Sequence, residues 1–276
     1  LTSADGLKLF AQTWQPDTPA KAYIALVHGL GEHSGRYAHV AAHLAQHGYA
    51  THTFDLRGHG RSPGQPRGYV NSFDDYLADV EVLLTSVKTV AKQQPIFLMG
   101  HSMGGAIATL YTITRQPNQT HGLLRGLVLS SAALKLDDSV PPILVKLSGI
   151  ISKIAPTLPT MKIDTATISR DPEIVGNAGS DPLCYYGGTR ARTGAELIRA
   201  ISLIGAGAGS ITLPIFLFHG TADKLTSPEG SKQVYAKVAS ADKTLKLYEG
   251  AYHETLNDLC KAQVLDDLTQ WLDARV

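Results

Sequence analysis

Residues 100–105 read Gly-His-Ser-Met-Gly-Gly, directly after the apolar run 96–99 and before the helical run 106–111. Glycines two before and two after Ser102 permit the sharp strand-to-helix turn that lifts a serine side chain above a sheet, at the N-terminus of the next helix. A serine hydroxyl is a poor nucleophile at neutral pH and needs an imidazole base steadied by a carboxylate. Both follow in order. The run 215–218 leads into His219-Gly220-Thr221-Ala222-Asp223, and the run 244–248 leads into Glu249-Gly250-Ala251-Tyr252-His253. Each then stands just past a strand, where open α/β sheets place functional groups. In this reading Ser102 attacks, His253 removes and returns the proton, and Asp223 orients the imidazole and stabilises its charged form.

Other residues compete for these roles. A plain strand–helix turn would also explain the glycines around Ser102. Among eleven histidines, His219 sits at a strand end and reads as a hydrogen-bonding neighbour rather than the base. His101 adjoins the serine but, within a tight turn, reaches it poorly. Asp55 in "FDLRGHGRS" also follows a strand, yet it precedes the serine and its glycine-rich surroundings suit a structural turn. Asp242 and Asp258 read as solvated. Acyl transfer further needs N–H donors for the developing oxyanion. The N–H of Met103, just after the nucleophile, is one. The loop His28-Gly29-Leu30-Gly31 after the run 23–27 offers Leu30 N–H as the other. No Lys-Ser/Thr follows that loop, so it is not read as a phosphate cradle.

These groups need a sheet behind them. Short apolar runs at 8–14, 23–27, 50–54, 96–99, 127–130, 215–218 and 244–248 read as strands, mostly apolar throughout, as in a parallel sheet covered on both faces. Amphipathic helices alternate with them: Tyr37, Val40, Ala41 and Leu44, stopped by Gly48; the stripe from Tyr76 to Val87, opened by a Ser72/Asp75 capping box; and Val264, Leu265, Leu268, Trp271 and Leu272 at the end. The alternation predicts an α/β fold with a mostly parallel sheet and helices on both faces. Residues 134–212 break it with prolines, helical patterns and no convincing strand. They read as a helical cap inserted between core segments 1–133 and 213–276. Within the cap, Ile143, Leu144, Leu147, Ile150, Ile151 and Ile154 form one apolar helical face, with Lys146 and Lys153 elsewhere, and "GAGAGS" at 205–210 reads as a flexible return.

With 25 basic and 24 acidic residues the formal net charge is +1, which argues against a nucleic-acid partner. Cys184 and Cys260 read as free thiols, no metal-ligand spacing occurs, and no cofactor is implied. No apolar run approaches the roughly 18 residues of a membrane span, and no signal peptide is visible. A cytoplasmic location, with peripheral contact to membrane, is expected. The first residue is Leu1 and not Met, which leaves export open.

The stretches "HGLGEHSGRY", "DLRGHGRS", "GHSMGGA", "SDPL", "HGTADKLTSPEGS" and "DKTLKLYEGAYHE" together resemble the monoacylglycerol lipase and lysophospholipase group of α/β-hydrolases. The resemblance covers nearly the whole chain and is weakest from about 133 to 179. It implies an α/β-hydrolase core, Ser102, Asp223 and His253 as the triad, and Leu30 and Met103 as oxyanion donors. It also implies a helical cap that meets a membrane or micelle and admits one acyl chain. Glu32 and Arg36 match positions near the pocket for the alcohol part of the substrate. His101, Ile143, Leu147 and Ile151 complete the expected pocket. There are two departures. Animal monoacylglycerol lipases carry a second histidine three residues after the catalytic one, where Leu256 stands here. A tyrosine before "SDPL" is replaced by the small residues of "NAGSDPL". The expected activity is hydrolysis of single-chain lipid esters, with lysophospholipase, broader carboxylesterase, cinnamoyl-type esterase and aminopeptidase as rivals. A non-catalytic binding protein is disfavoured because all three triad sites are filled.

Overall fold

The computed structural model describes residues 1–115, 122–136 and 142–276, without the side chains of Pro142, Leu144 and Lys146. Seven strands form one sheet: β1 (Ala11–Trp14), β2 (Ala22–Val27), β3 (Tyr49–Phe54), β4 (Ile96–His101), β5 (Gly126–Ser130), β6 (Ile215–Gly220) and β7 (Lys243–Tyr248), in the order β1-β3-β2-β4-β5-β6-β7. Only β1 runs antiparallel, against β3; every other pairing is parallel. Every residue of β2, β3, β4, β5 and β6 is buried, because helices cover both faces. The order reverses at β2, which has β3 on one side and β4 on the other. Loops diverge at such a switch point and leave a crevice beyond the strand ends.

The helices are α1 (Ala38–Gln46), α2 (Phe73–Ala91), α3 (Met103–Arg115), α4 (Pro142–Ile154), α5 (Pro172–Ser180), α6 (Ala191–Gly207), α7 (Pro228–Lys237) and α8 (Lys261–Asp273). Alternation along each strand divides the core in two. Ile96 and Leu98 of β4 pack with α2, α3 and α6 through Val80, Leu83, Ile107, Leu110 and Ile204. Phe97 and Met99 face the other way, onto Val40 and Leu44 of α1 and Val264, Leu268 and Trp271 of α8. The capping box at Ser72 forms as expected: Ser72 Oγ accepts from Asp74 N–H at 3.2 Å, and Asp75 accepts from Ser72 N–H at 3.3 Å.

Between β5 and β6 the described residues form α4, α5 and α6 with no strand, only an isolated bridge between Pro159 and Arg190. The "GAGAGS" segment departs from expectation. It is no flexible tether: α6 runs through Gly207 and a 3-10 turn, Ala208–Ser210, follows, with Ala208 fully buried. A Cβ on Gly207 would sit 2.7 Å from Ile113 Cγ2 of α3, so the small residue there serves close helix packing.

The tightest junction lies under the serine. A Cβ on Gly105 would collide with Ala132 Cβ and lie 3.0 Å from its Cα. Gly105→Val therefore overpacks the junction of α3 with the end of β5. The expected cost is about 1–3 kcal/mol, read as a fall of several degrees in Tm; an unchanged Tm would contradict this packing.

Candidate active site

β4 ends at His101 and α3 begins at Met103, leaving Ser102 alone at the turn with φ +54°. A non-glycine residue in this left-handed region carries about 1–3 kcal/mol of strain and persists only where its surroundings enforce it. Here they do. Ser102 N–H donates to Ser130 O at 3.0 Å, and Ser102 C=O accepts from Gly105 N–H and Ala133 N–H, both at 3.0 Å. A Cβ on Gly104 would strike the Val27 and His28 carbonyl oxygens, and one on Gly100 would strike Gly104 O. The two glycines thus let three chain segments meet beneath the hydroxyl.

Asp223 and His253 lie on the loops after β6 and β7. Their side chains meet at 2.7 Å between Asp223 Oδ2 and His253 Nδ1, which leaves Nε2 as the nitrogen with a free lone pair. The same carboxylate oxygen accepts from His219 Nε2 at 2.9 Å, while Oδ1 accepts from Leu225 N–H and Thr226 N–H at 2.8 and 3.0 Å. His219, at the end of β6, is therefore a second imidazole on Asp223. Burial alone would raise the Asp223 pKa, but the His253 charge and the two imidazole donors hold it far below the usual carboxylate range. Burial alone would lower the His253 pKa; the charge and hydrogen bond of Asp223, with Glu254 and Glu32 behind it, outweigh burial and raise it. His101 packs its ring 4.8 Å from that of His253. Its pKa falls to about 3 through burial and the His253 charge, so it stays neutral beside an imidazolium. Asp55 points elsewhere, accepting from Arg61 N–H of its own turn at 2.7 Å and from Ser34 N–H of the segment after β2 at 2.8 Å.

Ser102, His253, Leu30, Met103, His101, Glu32 and Arg36 all line one cavity of about 320 Å³, beyond the strand ends at the switch point. A Cβ on Gly29 would lie 3.0 Å from Ser102 Cβ, so the loop after β2 approaches the serine closely. Among the described residues neither Leu30 N–H nor Met103 N–H donates to a protein group. Leu136, Ile163, Ile168, Leu197, Ile201 and Leu225 give the cavity an apolar wall, and Tyr186 stands at its polar side. This wall was not foreseen, although Leu197 and Ile201 stand one helical turn apart on α6 and carry the period that could have marked them. No tyrosine stands shortly before "SDPL"; Tyr186, which follows it, lines the cavity.

Three expected pocket residues stand elsewhere. Ile143, Leu147 and Ile151 are not in the cavity wall but on the outer surface of α4, 59%, 38% and 37% exposed. The reason is the choice of face. α4 packs on α6 and turns inward its smaller residues Val145, Ser148 and Ser152, which let the helices approach. Ile150 and Ile154 share the exposed face, while the side chains of Leu144 and Lys146 lie outside the described residues. Asp258 also departs from expectation. It is buried and paired with Arg170, at 2.7 Å to Nε, and accepts from Tyr252 N–H. His33, Asp181 and Cys184 gather within 4.8 Å. His33 Nδ1 accepts from Gly35 N–H, so Nε2 carries the proton donated to Asp181 at 2.8 Å, a hydrogen-bonded pair rather than a ligand set. Both cysteines are free thiols.

A doubly covered parallel sheet, a serine on a strained strand–helix turn and an Asp–His pair on later loops define a serine hydrolase of the α/β-hydrolase class. Residues 18–260 match the family described as Serine aminopeptidase, S33 (Hydrolase_4), and the chain belongs to that family. It is 35% identical to the monoacylglycerol lipase of Mycolicibacterium smegmatis over 97% of this chain and 93% of that protein. It is 34% identical to the human monoglyceride lipase over 100% of this chain and 90% of that protein. Among solved structures it is similar to the Paleococcus ferrophilus monoacylglycerol lipase, with TM-score 0.87 and 30% identity, over 98% of this chain and 100% of that one.

The electrostatics give a direct expectation. A raised pKa keeps His253 protonated to higher pH, so its Cε1–H resonance titrates above the usual imidazole value of about 6.5. Asp223→Asn removes the charge that opposes burial, and the midpoint falls. A midpoint that stays put in Asp223→Asn would contradict this balance.

Proposed function

We propose that this chain hydrolyses the carboxylic esters of single-chain lipids, monoacylglycerols above all, to glycerol and free fatty acid through an acyl-enzyme on Ser102. The observation that carries the reading is the convergence of Ser102 and His253 on one cavity with an apolar wall on one side and Glu32, Arg36 and Glu254 on the other. Ser102 Oγ attacks the ester carbonyl as His253 Nε2 takes its proton. The Leu30 and Met103 N–H groups serve as donors to the developing oxyanion. His253 then protonates the departing glycerol oxygen, and water repeats the steps to release the fatty acid. About 320 Å³ lies at the small end of ligand sites and suits one acyl chain.

The polar end supports a neutral head group. Two buried carboxylates share one guanidinium there, whereas Lys162 and Lys224 stand exposed in the cavity wall. An uncharged diol can donate to the carboxylates; a phosphate would be repelled by their excess charge. Residues 134–212 act in this account as a cap. Its outward face of Ile143, Leu147, Ile150, Ile151 and Ile154 suits contact with a lipid surface, from which substrate would enter. No described helix is long and apolar enough to cross a membrane.

Purified protein assayed against monoacylglycerols, diacylglycerols, lysophospholipids and aryl esters tests the reading. Monoacylglycerols are expected to give the highest kcat/KM, and Ser102→Ala to lose at least about 10³-fold. Preference for lysophospholipids would overturn the head-group assignment. Placing aspartates at Leu147 and Ile151 should lower activity on micellar monoacylglycerol about tenfold while sparing a short soluble ester; equal losses on both would remove the lipid-contact role.

A further inference from the structure

Glu254 directly follows the base, His253, and its side chain does not reach the reacting atoms. Its carboxylate takes both ends of one guanidinium: Arg36 Nη1 donates to Oε1 at 2.6 Å and Nη2 to Oε2 at 2.8 Å. Asn257 Nδ2 donates to Oε2 at 3.0 Å, and the Glu254 backbone N–H donates to Ile168 O in the cavity wall. Arg36 Nη1 also reaches Glu32 Oε2 at 3.2 Å. The other Glu32 oxygen, Oε1, accepts from Gly29 N–H at 2.6 Å and from Tyr37 OH at 2.7 Å. Gly29 immediately precedes Leu30. An unbroken chain of covalent bonds and hydrogen bonds therefore runs from His253 through Glu254, Arg36 and Glu32 to Gly29 and Leu30.

We propose that Glu254 is a positioning residue for the acyl-transfer reaction: through Arg36 and Glu32 it fixes the loop that carries the base against the loop that carries an oxyanion donor. This rests on the roles assigned above to His253 and Leu30. The side chains of Arg36, Glu32 and Glu254 are only 10%, 5% and 7% exposed, so water screens the pairs weakly. Bidentate geometry fixes direction as well as distance. An ion pair serving only the fold could sit anywhere; here each carboxylate lies within two residues of a group that acts on the substrate. The oxyanion exists only on the reaction path, so loosening its donor loop lowers kcat more than it raises KM. The tie also carries charge. Glu254 and Glu32 together exceed Arg36 by one negative charge, placed behind the imidazole.

The experiment compares wild type, Glu254→Gln, Arg36→Met and the double variant on a short soluble aryl ester, which has no glycerol to bind. Absence of hydrolysis by wild type would strike the proposed function itself; the inference is judged on the variants of an active enzyme. Glu254→Gln is expected to lower kcat about 10–100-fold with KM within about twofold, since loss of a whole oxyanion donor costs about 10²–10³. The acid limb of kcat/KM should move to lower pH, because a carboxylate favouring the imidazolium is gone. The other groups around His253 stay in place: Asp223 and His219 from the β6 side, His101 from β4, Glu32, Arg36 and Tyr37 after β2, and Tyr186 and Lys224 in the cavity wall. Arg36→Met should cost no less than Glu254→Gln, and the double variant little more than either, as members of one linkage are non-additive. Should Glu254→Gln fail to fold by circular dichroism, Glu32→Gln, whose amide oxygen still accepts from Gly29, is expected to show the same kcat loss and acid-limb shift. A folded variant with kcat within twofold of wild type and an unmoved acid limb, or strictly additive losses, would overturn the proposal.

Discussion

One backbone conformation governs the rest of this structure: Ser102 held at positive φ between a buried strand and a helix. The turn stores strain, so its surroundings must outweigh it. That requirement explains why Gly100, Gly104 and Gly105 have no room for a Cβ and why the Ser102 peptide groups are bonded to the end of β5 and the segment after it. It also fixes the environment of the hydroxyl. The serine can project only toward the crevice at the sheet's switch point, so the base, the acid and the oxyanion loop must all arrive there from other strands.

The electrostatics follow from that meeting place. The crevice is buried, and burial on its own disfavours both the imidazolium and the carboxylate. Together they stabilise each other: Asp223 stays ionised, His253 becomes more basic, and the adjacent His101 is kept neutral by the same burial and by its charged neighbour. Glu32, Arg36 and Glu254 extend this coupling one layer outward, where two carboxylates find a single guanidinium. The outcome is a largely buried site with an apolar wall for an acyl chain and, for hydroxyl groups, a charged wall in which two carboxylates share one guanidinium.

Much of this was legible in the sequence because it is periodic or local. The inner strands β2, β4, β5 and β6 appear as apolar runs because both of their faces are buried, whereas the edge strands β1 and β7 are only partly buried and carry polar residues among the apolar ones. Ser102, Asp223 and His253 stand out because each closes such a run, and the Ser72 box and Gly48 mark helix ends through capping chemistry that spans only a few residues. What escaped was long-range. Glu254 looks like an ordinary polar neighbour of His253, and its partner Arg36 lies 218 residues away in sequence. Asp258 appears solvated until Arg170 is brought against it. The isoleucine stripe of α4 has the right period, but period says only that a face exists. It cannot say whether larger or smaller residues turn inward, and here Ser148 and Ser152 do. The glycines of "GAGAGS" suggest a tether because composition records flexibility and not the neighbour, Ile113, that needs the space.

The central claim is that Ser102 is the activated nucleophile of this site. Intact-protein mass spectrometry after reaction with a fluorophosphonate, followed by peptide mapping, measures this directly. The account predicts a single adduct per chain, located on Ser102 and lost in Ser102→Ala and strongly slowed in His253→Gln. No adduct on the folded wild-type protein, or one mapped to another residue, would contradict it.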